Sequence, residues 1–275
     1  MYSGQESVTT ILLSDNGSMQ PLATIQLRQL SRLLSEKIGQ TVHPVSLQHA
    51  NKIPAEQING SKALIFSEFI AEKLKEGHRD FLLLPLFFGN SKALSKFVPD
   101  EKAHLEQTYG EFDLEIASPV YPLPKGDQRL AKILADHIQQ TAGELRNVVL
   151  VDHGSPVARV TAVRQHLANS IQVQLGDQYQ LAEACMERRE GKEYDFNGQL
   201  LQDWLTEQAN RQSAGAVVAM MFFLPGRHAG AGGDIAEICQ SVMDKHPGFK
   251  VVVTPLISEH PDFVALLARR YKDML

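Results

Sequence analysis

The chain has 275 residues, 43% of them hydrophobic and 21% charged, which suits a soluble globular protein large enough for two domains. A net charge of −5 spreads no wide basic field, so nucleic acid is not an expected partner. Nothing resembles a signal peptide in the polar start Met1-Tyr2-Ser3-Gly4-Gln5-Glu6-Ser7, and no apolar run approaches membrane-spanning length. Two cysteines, Cys185 and Cys239, make neither a disulfide framework nor a metal cluster by themselves. The expectation is a cytoplasmic protein with no membrane partner.

Along the chain, short apolar runs alternate with amphipathic stretches. Strands are predicted at residues 9–13, 63–66, 81–87 and 114–117, then at 148–151, 216–223 and 251–254. These runs lack strict polar alternation, as expected of strands covered on both faces. Helical periodicity covers residues 22–38, 127–140, 157–171 and 263–275. Strand, crossover helix, strand predicts an α/β fold with parallel sheets flanked by helices.

The two halves repeat one another. Ile11-Leu12-Leu13-Ser14-Asp15-Asn16-Gly17-Ser18 reads like Val149-Leu150-Val151-Asp152-His153-Gly154-Ser155, an apolar strand entering a D-x-G-S turn. The displacement that carries Asn16 onto His153 also carries Gly89 onto Gly226. One residue less brings Ala117-Ser118-Pro119-Val120 onto Val253-Thr254-Pro255-Leu256. Three anchors at nearly one displacement indicate a tandem duplication of two similar domains, residues 1–142 and 143–275. No long linker separates them, so the halves are expected to pack against each other.

Only the second copy keeps its histidines. His153 follows a predicted buried strand and precedes a turn in which Gly154 permits a tight backbone, Ser155 suits the helix N-cap and Pro156 the first helical turn. Such a strand end lies on the rim where parallel α/β sheets bind ligands. His228 sits in the glycine-rich turn Pro225-Gly226-Arg227-His228-Ala229-Gly230, after another apolar strand and therefore on the same rim. Glu187 lies between the two histidines in sequence and is a candidate third member for metal handling and proton acceptance. In the first copy, Asn16 stands for the first histidine, Ser91 or Asn90 for the second, and Gln48 or His49 for the glutamate. Asn and Gln keep hydrogen bonding but lose imidazole basicity and strong metal ligation, so the first domain is expected to be degenerate.

His-Gly-Ser after a strand, then Glu187, then Phe-Leu-Pro-Gly-Arg-His-Ala-Gly before Asp234-Ile235 resembles the class II tetrapyrrole metal chelatases. The likeness is to the long, two-domain form of the sirohydrochlorin cobaltochelatase and ferrochelatase branch, which serves cobalamin and siroheme biosynthesis. It spans most of residues 145–275 and, more weakly, residues 8–142. It implies two chelatase-like domains facing each other across a cleft that holds the tetrapyrrole. It further implies a lyase that inserts cobalt, iron or nickel without a nucleotide cofactor, sufficient as a monomer. His153 and His228 would match the metal-site histidines, with Glu187 as acidic partner. Ser155, Gly226, Arg227 and Gly230 would line the ring site, and Arg188, Arg189 and Arg227 would offer charge to an acidic ring, as would helix N-termini near Ser155 and Gly233.

The sequence departs from that pattern after Glu187, where Arg188-Arg189-Glu190-Gly191 follows. A non-catalytic metal- or tetrapyrrole-binding protein derived from a chelatase is the alternative. A phosphoryl-transfer site with a histidine nucleophile is disfavoured, because it needs an early Arg-His-Gly turn and a late second histidine.

Overall fold

The structure, a computed structural model, describes residues 9–275; the polar start, Met1 to Ser7, lies outside the described residues. Their order is β1 (Thr10–Ser14), α1 (Pro21–Ile38), β2 (Val42–Pro44), α2 (Phe66–Lys75), β3 (Asp80–Pro85), α3 (Val98–Tyr109), β4 (Asp113–Ile116) and α4 (Gln128–Ala142). There follow β5 (Asn147–Asp152), α5 (Ala158–Leu175), β6 (Gln180–Cys185), α6 (Leu201–Asn210), β7 (Gly215–Met220), α7 (Asp234–Lys245), β8 (Lys250–Val253) and α8 (Phe263–Lys272). None of these helices is long and apolar enough to cross a membrane.

The duplication is visible in the wiring. One sheet runs β2-β1-β3-β4 and the other β6-β5-β7-β8, and every pairing is parallel. The displacement that relates Asn16 to His153 also carries both ends of α1 onto those of α5. The central strands are the apolar runs: Val148, Val149, Leu150 and Val151 of β5 and Ala216, Val217, Val218 and Ala219 of β7 have no exposed surface. Each fully buried valine or leucine contributes about 1.5–3 kcal/mol relative to an exposed one. In the second sheet Val149, Val151, Val218 and Met220 pack against Trp204 and Leu205 of α6 and Ile235 and Cys239 of α7. The first sheet repeats this packing with Leu12 and Leu83 against Phe69 and Ile70 of α2 and Val98 and Leu105 of α3.

Three local expectations are corrected. Residues 63–66 form no strand: a single bridge joins Ser46 to Ile65, and Phe66 opens α2 with its ring fully buried. The edge strand β2 in fact lies at Val42–Pro44, too short and mixed for an alternation pattern to reveal. Ser155 does not cap α5, whose N-cap is Val157; the Ser155 hydroxyl instead accepts from the Val157 amide at 3.1 Å, a local turn.

The compact units do not follow the repeat boundary at 142/143. One unit ends at Val120 and takes in Val264–Leu275, and the other is Tyr121–Phe263. The reason lies in α4, whose buried Leu130, Ile133, Leu134 and Ile138 pack against α5, β7 and β8 of the second sheet. Most of α8 belongs to the first unit, where the Arg270 guanidinium donates to the Val120 carbonyl at 3.3 Å. The terminal helices of the two copies are thus exchanged between the units.

Candidate metal-handling site

The second sheet places its reactive side chains at the carboxyl ends of β5, β6 and β7. His153 follows β5 directly, and Gly154 then takes φ of +93°, a conformation that an L side chain rarely adopts. A Cβ there would lie 1.9 Å from the Glu187 carbonyl oxygen, so the turn must be glycine for the backbone after β6 to approach it. That approach is used: the Glu187 amide donates to the His153 carbonyl at 3.1 Å and the Met186 amide to the Asp152 carbonyl at 2.8 Å. Histidine and glutamate are therefore held by backbone contact, and the His153 Nε2 lies 3.3 Å from Glu187 Oε1.

The glycine-rich turn after β7 folds on itself. The Gly230 amide donates to Gly226, Gly233 to Gly230, and Ile235 to the His228 carbonyl. A Cβ on Gly233 would meet three carbonyl oxygens at 2.6–3.0 Å, so the compact loop also requires small residues. It brings His228 against His153, with ring centroids 4.5 Å apart and planes at 72°. His228 Nδ1 bonds Asp234 Oδ2 at 2.5 Å, which leaves Nε2 as its outward nitrogen. A cavity of about 320 Å³ lies beside this histidine, lined by Met220, Pro225, Gly230, Ile235, Thr254 and Pro255 among others.

The site is thus two adjoining imidazoles, each with a carboxylate: Glu187 on His153 and Asp234 on His228. Both imidazole and carboxylate suit divalent transition metals and proton acceptance. No three His, Cys, Asp or Glu side chains among the described residues converge as a ready-made metal cage. The cysteines stay out of it, since burial pushes both thiols up, Cys239 to about 12.

The other named residues have their own partners. Arg188 pairs with Asp195 at 3.3 Å and donates to the Gly198 carbonyl, and Arg189 lies over the Tyr194 ring. Arg227 is mostly exposed, 3.8 Å from Asp234. The amino end of α7 already carries acidic side chains, Asp234 and Glu237, which weakens it as an anion site. Gly226 and Gly230 serve the internal bonding of their loop.

In the first sheet the same scaffold holds other chemistry. Gly17 has φ of +92°, and a Cβ there would lie 1.7 Å from the Gln48 carbonyl oxygen. The Gln48 amide donates to Asn16, as Glu187 does to His153, so Gln48, and not His49, is the counterpart of Glu187. A larger cavity, about 870 Å³, lies in the first unit and is lined by Thr10, Asp80, Asp113 and Tyr271 among others. It opens at the amino ends of the strands, the opposite edge from the one at which parallel sheets bind ligands.

Asp234, Arg164 and Asn197 were not singled out by sequence reasoning. Asp234 reads as an ordinary first-turn acid. Arg164 did leave a signal, because it shares a helical stripe with the buried Leu167, Ala168 and Ile171. Asn197 left none, lying in a polar stretch that reads as loop.

Comparison with known proteins bears on the fold and on the second half of the sequence. No curated protein matches the chain in sequence. The fold is that of SirB from Bacillus subtilis, solved with Fe3+: TM-score 0.71 at 14% identity, over 96% of this chain and 94% of that one. A second SirB structure, from Bacillus subtilis subspecies spizizenii in complex with cobalt, gives a TM-score of 0.66 at 15% identity, over 96% and 94%. CbiX, described as the terminal enzyme for siroheme biosynthesis in denitrifying bacteria, gives 0.57 at 14% identity, over 97% and 99%. The CbiX family model matches residues 147–274, the stretch that carries both histidines and both carboxylates. Residues 147–274, just under half of the chain, are thus similar to the CbiX family.

Proposed function

We propose that the protein inserts a divalent metal, cobalt, iron or nickel, into a sirohydrochlorin-type tetrapyrrole without a nucleotide. One observation carries this reading: His153 and His228, from different strand ends, adjoin with ring centroids 4.5 Å apart, each beside a carboxylate. The family match over residues 147–274 and the fold shared with SirB and CbiX support it.

Insertion exchanges one M²⁺ for two pyrrole N–H protons, so the site must hold a cation and accept protons. The imidazoles of His153 and His228 bind the incoming metal through neutral nitrogen. Glu187, mostly exposed and within reach of His153 Nε2, takes protons onward to water and offsets the charge of the ion. Asp234 fixes the tautomer and ring orientation of His228. Arg227, with Ser155, Gly226 and Gly230, meets the acidic ring. Residues 143–275 carry this chemistry, and residues 1–142, with Asn16, Gln48 and Ser91 in the corresponding places, form a degenerate copy without it. One chain then suffices, acting in the cytoplasm.

The test is anaerobic incubation of metal-free protein with sirohydrochlorin and Co²⁺ or Fe²⁺, followed by absorbance. Insertion faster than in the protein-free control, lost in His153→Ala while ring binding persists, is the expected result. Ring binding without acceleration would replace this reading with that of a binding protein.

A further inference from the structure

Resting on the reading of His153 as a metal-site imidazole, we infer that Arg164 is a positioning residue for that site. Its buried guanidinium fixes the backbone on both sides of His153. Arg164 has no exposed surface. Its Nη1 donates to Asp152 Oδ1 at 2.5 Å, its Nε to Glu183 Oε2 at 3.0 Å and its Nη2 to the Asn197 carbonyl at 2.6 Å. Three directions from one rigid plane are available to arginine and not to lysine.

Each contact leads to the site. Asp152 immediately precedes His153, and its Oδ1 also accepts the Gly154 amide at 3.0 Å, so one oxygen spans the histidine. Glu183 stands on β6, the strand that delivers Glu187. Asn197, fully buried, accepts the Ser155 amide at 3.0 Å and the Thr161 hydroxyl at 3.1 Å, and it donates to the Ser155 carbonyl at 2.8 Å. Residues 152, 154 and 155 are therefore all tied to one network that brackets His153, whose ring Nδ1 lies 3.1 Å from the Gly154 carbonyl oxygen.

The first copy shows that the fold does not demand this network. At the place of Arg164 the displacement between copies puts Leu27, a buried apolar residue, yet the first copy builds the same strand, glycine turn and backbone approach. Asp15, the counterpart of Asp152, meets the Ser46 hydroxyl and turn amides in place of a guanidinium, and burial pushes both carboxyls up. In the second copy burial would lower Arg164, but Asp152 and Glu183 more than offset it and keep the guanidinium charged. Buried ion pairs are weak evidence for stability, and this one occurs only in the copy that holds the histidines. It holds the position of one ligand in place.

The experiment is Co²⁺ titration of the metal-free protein, read by visible absorption, beside the insertion assay. Arg164→Leu installs the residue of the first copy. Asn197→Ala cuts the Ser155 tether while sparing the Asp152 contact. Arg164→Leu/Asp152→Asn removes the guanidinium together with the charge of its more buried carboxylate partner should the single change unfold. The expected result is native far-UV circular dichroism with Co²⁺ affinity reduced roughly 10- to 100-fold. The kcat should fall in step, with KM for the ring unchanged. Wild-type affinity and kcat in Arg164→Leu would overturn the inference, and so would loss of native circular dichroism in all three variants, which would assign the network to folding. If Co²⁺ binds through His153, as judged by its loss in His153→Ala, but no ring is metallated, the proposed function fails. The role of Arg164 would still stand or fall on the affinities. Co²⁺ binding indifferent to His153→Ala would overturn both.

Discussion

Gly154→Ala probes the backbone contact that brings His153 and Glu187 together. At φ of +93°, alanine costs about 1–2 kcal/mol in backbone strain. Its Cβ would start 1.9 Å from the Glu187 carbonyl oxygen, so the two segments must separate by over about 1 Å, an overpacking cost of about 1–3 kcal/mol. The sum, about 2–5 kcal/mol, reads as a lower urea midpoint. The separation acts directly on the His153–Glu187 pair, and a misplacement of about 1 Å is expected to lower insertion by roughly 100-fold per folded molecule. Gly17→Ala is a matched control, with φ of +92° and a contact of 1.7 Å to Gln48. It should destabilise comparably, raise KM for the ring and leave kcat nearly intact. Equal kcat losses in the two variants, or none in Gly154→Ala, would refute the assignment of chemistry to the second copy.

Asp234→Asn should leave the fold intact and lower Co²⁺ affinity and insertion by roughly 10- to 100-fold, because His228 loses the carboxylate that orients it; titration and initial rates check this. Asn16→Ala is expected to change ring affinity more than turnover, and a complete loss of turnover with normal binding would instead indicate a second catalytic centre. Stability should also fall in mild acid. His137 of α4 is buried beside the His260 ring, with Glu259 and Asp136 nearby, and burial above all holds its pKa below the usual histidine value. A folded pKa below the unfolded one means that this stability is fully present above about pH 6.5 and is lost as pH falls, by at most about 1.4 kcal/mol per pH unit. Urea midpoints from pH 8 to pH 5 should therefore drop less in His137→Gln than in the wild type; parallel curves would rule His137 out as the cause.

Much of the fold was legible because the central strands are continuous apolar runs and α1, α4, α5 and α8 carry clear periodicity. What the sequence hid was short or contextual. β2 spans three residues, of which only Val42 is buried, and residues 63–66 are apolar because they enter a buried helix. At the site, His153, His228 and Glu187 were readable as strand-end residues, and the structure brings them together. Asp234 was hidden because its link to His228 depends on how a loop of small residues folds back on itself.

The sequence by itself determined that two copies of one α/β unit lie in tandem, and that only the second carries imidazoles at its strand ends. Strand burial and residue type are local properties that repeat faithfully from copy to copy. Tertiary structure alone decided that α4 and α8 exchange units, that Gln48 is the counterpart of Glu187, and that Arg164 and Asn197 clamp the turn of His153. Those outcomes depend on which apolar face finds which sheet and which buried polar group finds a partner, matters settled between residues far apart in the chain.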